Sequence, residues 1–178
     1  AVLACNNESI IVDCLESVAW ADERLVILDD RSADRTAEIA QGLGARVVTN
    51  RFKDFGQQRN FGLQQVDTEW VFYIDSDEQA TPALGKEIRG AIGESYRNGW
   101  WVPRKNYIWG RETRHGGWYP DYQLRVLRVG HANYDPERRV HEVVILDGDS
   151  GYLKEPLLHY NYQTMAQFVA KQQQYVDL

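Results

Sequence analysis

A chain of 178 residues with 43% hydrophobic and 26% charged side chains is long enough for one domain with a real core and too apolar to be disordered. Its net charge of −6 argues against a general nucleic-acid role, because phosphate backbones need a basic face. No apolar run approaches the roughly 20 residues of a membrane span.

In chain order, "AVLAC" reads as a short buried strand. Its abrupt apolar start, without an initiator Met, suggests a chain trimmed at that end, and the helical pattern at the other end suggests the same there. No export signal is visible. Cys5 and Cys14 have neither metal spacing nor a disulfide pattern, and read as small buried hydrophobes in a reducing compartment. "NESIIVDCLESVAW" follows as a helix, with Asn7 as its cap. "RLVILDD" is a second strand ending in Asp29 and Asp30. "SADRTAEIAQGLG" is a helix capped by Ser32 and stopped by Gly44. "ARVVTN" is a third strand, and "GQQRNFGLQQV" a weaker helix. "EWVFYIDSDE" is a fourth strand, expected to run as a central parallel strand from Trp70 to Ile74. "TPALGKEIRGAIG" is a helix capped by Thr81.

After Gly99 the style changes. "WWVPRKNYIWGRETRHGGWYPDYQLRVLRVG" is dense in aromatics, Arg and Gly, and reads as antiparallel strands with long loops. "RRVHEVVILDGDSGYL" reads as strand, turn, strand. "TMAQFVAKQQQYVDL" reads as a terminal amphipathic helix; Met165, Phe168, Val169 and Gln172 could touch a membrane surface, although packing on the domain is the plainer use of that face. There is no internal repeat and no linker. One domain over 1–178 is expected, with a nucleotide-type half over 1–98 and a half over 99–178 that shapes a second pocket. Strands alternating with helices imply a parallel sheet covered on both faces, with ligands beyond its carboxyl edge. Asp29, Asp30, Asp75 and Asp77 all fall at that edge.

Asp75 and Asp77 in "DSD" are hard oxygen ligands two positions apart, suited to Mg²⁺ or Mn²⁺ with a substrate's phosphates completing the shell. Turn chemistry is the plain alternative. In "ILDDRSADRT", Asp29 or Asp30 can accept hydrogen bonds from a ribose or base. "RFKDFGQQRNFG" puts Arg51, Lys53 and Arg59 around Gly56, as a diphosphate or a merely solvated basic face would have it.

The ordered run "CNNE", "DDRSADRT", "GQQRNFG", "YIDSDE", "GGWYPDYQLRVLR", "RRVHE" resembles a family 2 glycosyltransferase of the GT-A fold. It is similar, more narrowly, to the bacterial group that includes lipopolysaccharide-core β-1,4-glucosyltransferases. The resemblance covers nearly the whole chain. It implies an α/β, Rossmann-like fold: a mostly parallel sheet flanked by helices, with a smaller antiparallel acceptor-side part. It implies a cytoplasmic inverting enzyme, at times peripheral at the inner face of the membrane. That enzyme moves a sugar from a nucleotide-diphosphate donor, a UDP-sugar by expectation, to a saccharide or lipid-linked acceptor, using Mn²⁺ or Mg²⁺. By position, Asn7, Glu8, Asp29, Asp30, Arg59 and Asp75 would meet the nucleotide-sugar, and Asp75 and Asp77 the metal.

Inverting transfer needs a base for the acceptor hydroxyl. Asp121 falls where relatives carry the acid of an "ED" motif, although Tyr119 and Pro120 precede it here in place of a Glu. Glu142 in "VHE" is the second candidate, and ion pairs with Arg125, Arg128, Arg138 or Arg139 are the plain alternative for both. His141 is a candidate third metal ligand. Trp118, Tyr119 and Arg125 are candidate acceptor or sugar contacts, with His115, Gly116 and Gly117 forming a pocket loop. A non-catalytic sugar-nucleotide-binding module is the main alternative. A sugar nucleotidyltransferase fits less well, because "CNNE" stands where those enzymes have a Gly-rich loop.

Overall fold

Short apolar runs separated by helices bury both faces of a strand, which favours parallel pairing. The computed structural model describes residues 1–93, 96–113, 119–138 and 142–162. The first half contains β1 (Val2–Ala4), α1 (Ile11–Ser17), β2 (Leu25–Asp29), α2 (Thr36–Gly42), β3 (Arg46–Asn50) and α3 (Phe55–Gln65). It continues with β4 (Trp70–Phe72), β5 (Ile74–Asp75), β6 (Glu78–Ala80) and α4 (Pro82–Gly93). The second half holds β7 (Gly99–Ile108), β8 (Arg111–Glu112), β9 (Asp121–Arg128), β10 (Ala132–Tyr134), β11 (Val144–Leu146), β12 (Ser150–Tyr152) and β13 (Leu157–Tyr162).

Four strands form a parallel sheet in the order β3-β2-β1-β5. A seven-stranded mixed sheet runs β4-β9-β7-β13-β6, with β8 and β12 also on β7. β7 and β9 pair antiparallel, as the aromatic-rich stretch suggested. The α/β class holds, and the acceptor-side sheet is larger than expected because β4 and β6 join it from the first half. One core cluster packs Ile11, Cys14, Leu15, Val26, Ile74, Leu84 and Leu157. The other packs Ile27, Leu63, Tyr73, Leu127 and Tyr134. Each such burial contributes about 1.5–3 kcal/mol.

The fourth predicted strand is corrected. Trp70–Phe72 pairs antiparallel with β9, whereas Ile74–Asp75 pairs parallel with β1 at the end of the other sheet. Between them Tyr73 is fully buried and its hydroxyl donates to the Arg59 carbonyl at 2.6 Å. One apolar run thus serves two sheets. "RRVHEVVILDGDSGYL" holds the expected strand, turn and strand over its described residues; β11 pairs with β10 and β12 with β7.

Some helix ends follow sequence rules. Thr81 Oγ1 accepts from the Leu84 N–H at 3.1 Å, and Asp54 Oδ1 from the Gln57 N–H at 2.7 Å. Gly44, at φ +79°, donates its N–H to the Gln41 carbonyl past the end of α2. Asn7 and Ser32 are not caps. The loops after β1 and β2 zip together, so Ser32 Oγ accepts from the Asn6 N–H, and Thr36 Oγ1 from the Asn7 N–H. Asp34 Oδ1 takes the Thr36 N–H at the start of α2 instead. Among the described residues no helix is long and apolar enough to cross a membrane. The predicted terminal helix lies outside the described residues.

Gly62 of α3 sits so close to the sheet that a Cβ would lie 2.5 Å from Ile27 Cδ1 and 2.8 Å from the Tyr73 hydroxyl. Gly90 of α4 has open space around it. Gly90→Ala is expected to stabilise by up to about 1 kcal/mol through helix propensity. Gly62→Ala gains the same propensity and loses about 1–3 kcal/mol to overpacking, a net destabilisation. Urea unfolding of the two variants checks the opposite signs.

Candidate active site

The turn Asp75-Ser76-Asp77-Glu78 joins β5 to β6, and so joins the two sheets. It is fixed from several sides. Cys14 Sγ donates to the Asp75 carbonyl at 3.4 Å, and the Tyr160 N–H to the Asp77 carbonyl at 2.9 Å. The Asp75 N–H donates to Glu78 Oε2 at 2.8 Å.

Asp75 faces two arginines. Its Oδ1 accepts from Arg59 Nη2 at 2.7 Å, and its Oδ2 from Arg125 Nη2 at 2.6 Å. Arg59 comes from α3 and Arg125 from β9, and both are buried. Burial opposes the charge of Asp75; Arg125 and then Arg59 outweigh it and hold the carboxyl far below the usual range. Arg59 also pairs with Glu142. Glu78 is fully buried, with Oε1 3.4 Å from Arg104 Nη1 and 3.6 Å from Arg125 Nη2. Burial pushes its carboxyl above the usual range.

Asp121 begins β9. Arg104, from β7, meets its Oδ2 with Nε at 2.8 Å and Nη2 at 2.6 Å, and Gln123 Nε2 donates to Oδ1 at 2.7 Å. Burial opposes this charge too, and Arg104 outweighs it, holding the carboxyl below its ordinary value. Asn106 Nδ2 also donates to Asp121 Oδ2, at 3.3 Å. With its NH₂ on the carboxylate, Asn106 turns its Oδ1 towards His159 Nδ1, 2.6 Å away. An amide oxygen only accepts, so His159 carries a proton on Nδ1. Its Nε2 then points at Asp77 Oδ2, 3.5 Å away. The contacts form a ring from Asp75 through Arg125, Glu78, Arg104, Asp121, Asn106 and His159 to Asp77.

At the end of β2, Asp29 is buried and forked by Arg31, whose Nη2 lies 2.5 Å from Oδ2. The Arg31 bond exceeds the burial effect and lowers the Asp29 carboxyl. Arg31 itself is 65% exposed and lies 4.9 Å over the Phe52 ring. Asp30 is exposed, and its N–H reaches the Asn50 carbonyl at 3.1 Å.

Of the other expected residues, Asn7 turns its Oδ1 to the Cys5 N–H, and Glu8 takes the Arg35 N–H, so both lie in the loop zipper. Arg51 and Lys53 are exposed. Tyr119 is 38% exposed, beside Lys105. Arg125 is buried within the ring, and Arg128 pairs with Glu69 over Trp70. Among the described residues the acids' partners, Arg104 for Asp121 and Arg59 for Glu142, come from other elements; Arg139 lies outside the described residues. His141, Trp118 and the loop 115–117 lie outside the described residues.

Sequence reading missed Glu78, Arg104, Asn106 and His159. Arg104 and Asn106 alternate along β7 and so share a face. His159 interrupts the apolar "LLHY" of β13. Those were the available signals. Among the described residues no group of three or more His, Cys, Asp or Glu is placed to hold a metal. Asp77 and His159 form an acid–imidazole pair at this turn.

The sequence model of glycosyl transferase family 2 matches residues 1–160. The lipopolysaccharide core biosynthesis glycosyltransferase LpsC of Rhizobium meliloti (strain 1021) is 30% identical over 191 aligned residues, covering 99% of this chain and 68% of LpsC. The crystal structure of S. aureus TarS 1-349 shares the fold with a TM-score of 0.67 at 17% identity, over 90% of this chain and 59% of that one. TarS 1-349 in complex with UDP-GlcNAc gives 0.59 at 17% identity, over 86% of this chain and 58% of that one. Glucosyl-3-phosphoglycerate synthase from Mycobacterium tuberculosis, in complex with Mn²⁺, UDP and glucosyl-3-phosphoglycerate, gives 0.50 at 22% identity, over 65% and 43%. The chain thus spans less than two thirds of each of these solved structures. With the family match over most of its length and a relative at 30% identity across nearly all of it, the chain belongs to glycosyl transferase family 2.

Proposed function

We propose that this chain transfers a sugar, with inversion, from a nucleoside-diphosphate donor, a UDP-sugar, to a saccharide or lipid-linked acceptor in cell-envelope glycan or lipopolysaccharide synthesis. The observation that carries this reading is the path of contacts from Asp77 across 3.5 Å to His159, and by hydrogen bonds through Asn106 to Asp121. It links the end of the DSD turn to a carboxylate at the start of β9. The UDP-GlcNAc bound to TarS and the core-synthesis role of LpsC support the donor and the pathway. Residues 1–98 would carry most of the donor site and 99–178 the acceptor side. The reaction uses cytoplasmic sugar nucleotides, so the enzyme would work in the cytoplasm, against the inner face of the membrane for a lipid-linked acceptor.

A divalent metal fits Asp77 and His159. The Asn106 bond occupies His159 Nδ1 and leaves Nε2 facing a carboxylate oxygen 3.5 Å away, an imidazole nitrogen and a carboxylate so placed that together they would grip a cation. Mg²⁺ or Mn²⁺ accepts so few protein ligands when substrate phosphates complete its shell. When bound, it would neutralise the diphosphate leaving group. Asp29 or Asp30 would take the nucleoside, with Arg31 turning off Asp29 or bridging to the ligand. Asp75 would act as the charged anchor between Arg59 and Arg125.

Asp121 is the favoured base. Glu142 is paired with Arg59, which also holds Asp75 on the donor side, whereas Asp121 lies beyond His159 on the other sheet. The acceptor hydroxyl oxygen would attack the anomeric carbon from the face opposite the diphosphate. The bond from that carbon to the diphosphate oxygen breaks, its electron pair leaves with the nucleoside diphosphate, and the hydroxyl proton passes to Asp121. Arg104 keeps Asp121 ionised, so kcat should hold as pH falls to the ordinary carboxylate range and decline only below it.

Two measurements test this. Calorimetry with UDP should show binding that Mn²⁺ strengthens; Asp77→Asn and His159→Ala should remove that strengthening, and Asn106→Ala should weaken Mn²⁺ affinity by about 10–100-fold. Equal UDP affinity with and without Mn²⁺ in the unaltered protein would sink the metal reading. In transfer assays Asp121→Asn should lower kcat by about 10²–10⁴-fold with donor affinity retained. A larger loss in Glu142→Gln would move the base to Glu142.

A further inference from the structure

Asp75 and Asp121 stand on different sheets, yet each is held by an arginine that also faces one buried acid. Arg125 Nη2 lies 2.6 Å from Asp75 Oδ2 and 3.6 Å from Glu78 Oε1. Arg104 Nη2 lies 2.6 Å from Asp121 Oδ2, while its Nη1 is 3.4 Å from the same Glu78 oxygen. The other Glu78 oxygen takes the Asp75 N–H at 2.8 Å. Glu78 has no exposed surface, and its backbone is fixed opposite His159 in the β6–β13 pair. A carboxylate so buried is retained only with charged partners, and it aligns them in return. A guanidinium shared between two acids cannot turn without losing one of them.

We infer that Glu78 is a positioning residue for the transfer reaction: it fixes Arg125 against Asp75 and Arg104 against Asp121, and so sets the spacing of the donor-side and acceptor-side carboxylates. Glu78 reaches no substrate, being wholly enclosed. It acts through the two arginines. The inference rests on the transferase reading above for its catalytic consequence and on the ring alone for its structural one.

Glu78→Gln keeps the size and an oxygen for the Asp75 N–H but removes the charge. It should lower kcat by about 100-fold, the scale for a misplacement of about 1 Å. The donor KM should stay within about threefold, because donor binding is not what Glu78 sets. In ¹⁵N NMR of the nucleotide-free protein, the guanidinium signals of Arg104 and Arg125 should be sharp and slowly exchanging, and should broaden in Glu78→Gln. Glu78→Asp restores the charge and should give an intermediate kcat with shifted but sharp arginine signals. A wild-type kcat in Glu78→Gln would overturn the inference, as would kcat losses that follow thermal stability equally in both variants. If Glu78→Gln fails to fold, Glu78→Asp decides: an unchanged kcat with unmoved arginine signals overturns it. Unaltered protein that neither transfers nor hydrolyses any sugar nucleotide would sink the transferase reading separately, and the NMR signals would still report whether Glu78 orders the two arginines.

Discussion

Ionised side chains can be buried at the junction of two sheets only if each finds a partner there. Removing one member of such a pair leaves a bare charge, at a cost of about 3–5 kcal/mol. The buried Glu78 and the half-buried Asp75, Asp121 and Glu142 meet this constraint with Arg59, Arg104 and Arg125. The arginines come from α3, β7 and β9. Each element therefore has to take up its position for the acids to be tolerated, and the acids in turn fix those elements relative to the turn.

The same junction explains the path of the chain. Had Trp70–Asp75 run on as one strand, Asp75 would stand on the edge of the parallel sheet alone. Because Tyr73 dives into the core and Ile74–Asp75 changes sheets, the turn that follows lies between both sheets. β6 then leaves along β13, which brings His159 opposite Glu78 and its imidazole to Asp77. A two-residue strand on one sheet and a three-residue strand on the other are enough to set the four residues between Ile74 and Gln79.

Much of this was legible in the sequence, for physical reasons. Val2–Ala4 and Leu25–Asp29 are continuous apolar runs, and a parallel strand buried on both faces must be so. Thr81 and Gly44 mark helix ends because their local hydrogen bonds depend on near neighbours. Asn7 and Ser32 misled because such side chains serve as well elsewhere as at a helix start: Ser32 Oγ accepts across the loop pair from the Asn6 N–H, 26 residues away, and Asn7 Oδ1 accepts within its own loop from the Cys5 N–H. The split at Tyr73 left no mark, since pairing partner is a tertiary choice that hydrophobic pattern does not record. The acids of the site stood out against apolar runs. Their partners stood out less: Arg104 and Asn106 sit with Lys105 in a polar run of β7, and His159 is a lone His in an apolar strand with nothing local to say what it faces.

The ring also bears on how a diphosphate could be received. Arg59 and Arg125 already face Asp75, and Arg104 already faces Asp121 and Glu78. A diphosphate that drew these guanidinium groups to itself would have to compete with carboxylates 2.6–2.7 Å away, and each success would leave a half-buried acid short of a partner. The arginines are therefore better suited to hold the frame than to follow a leaving group. Asp77 and His159 differ in kind. They face each other with a carboxylate oxygen and an imidazole nitrogen and sit where the turn meets β13. A cation placed there would add positive charge without taking any from the frame, so the proposed metal is better suited to this pair and the fixed geometry to the arginines.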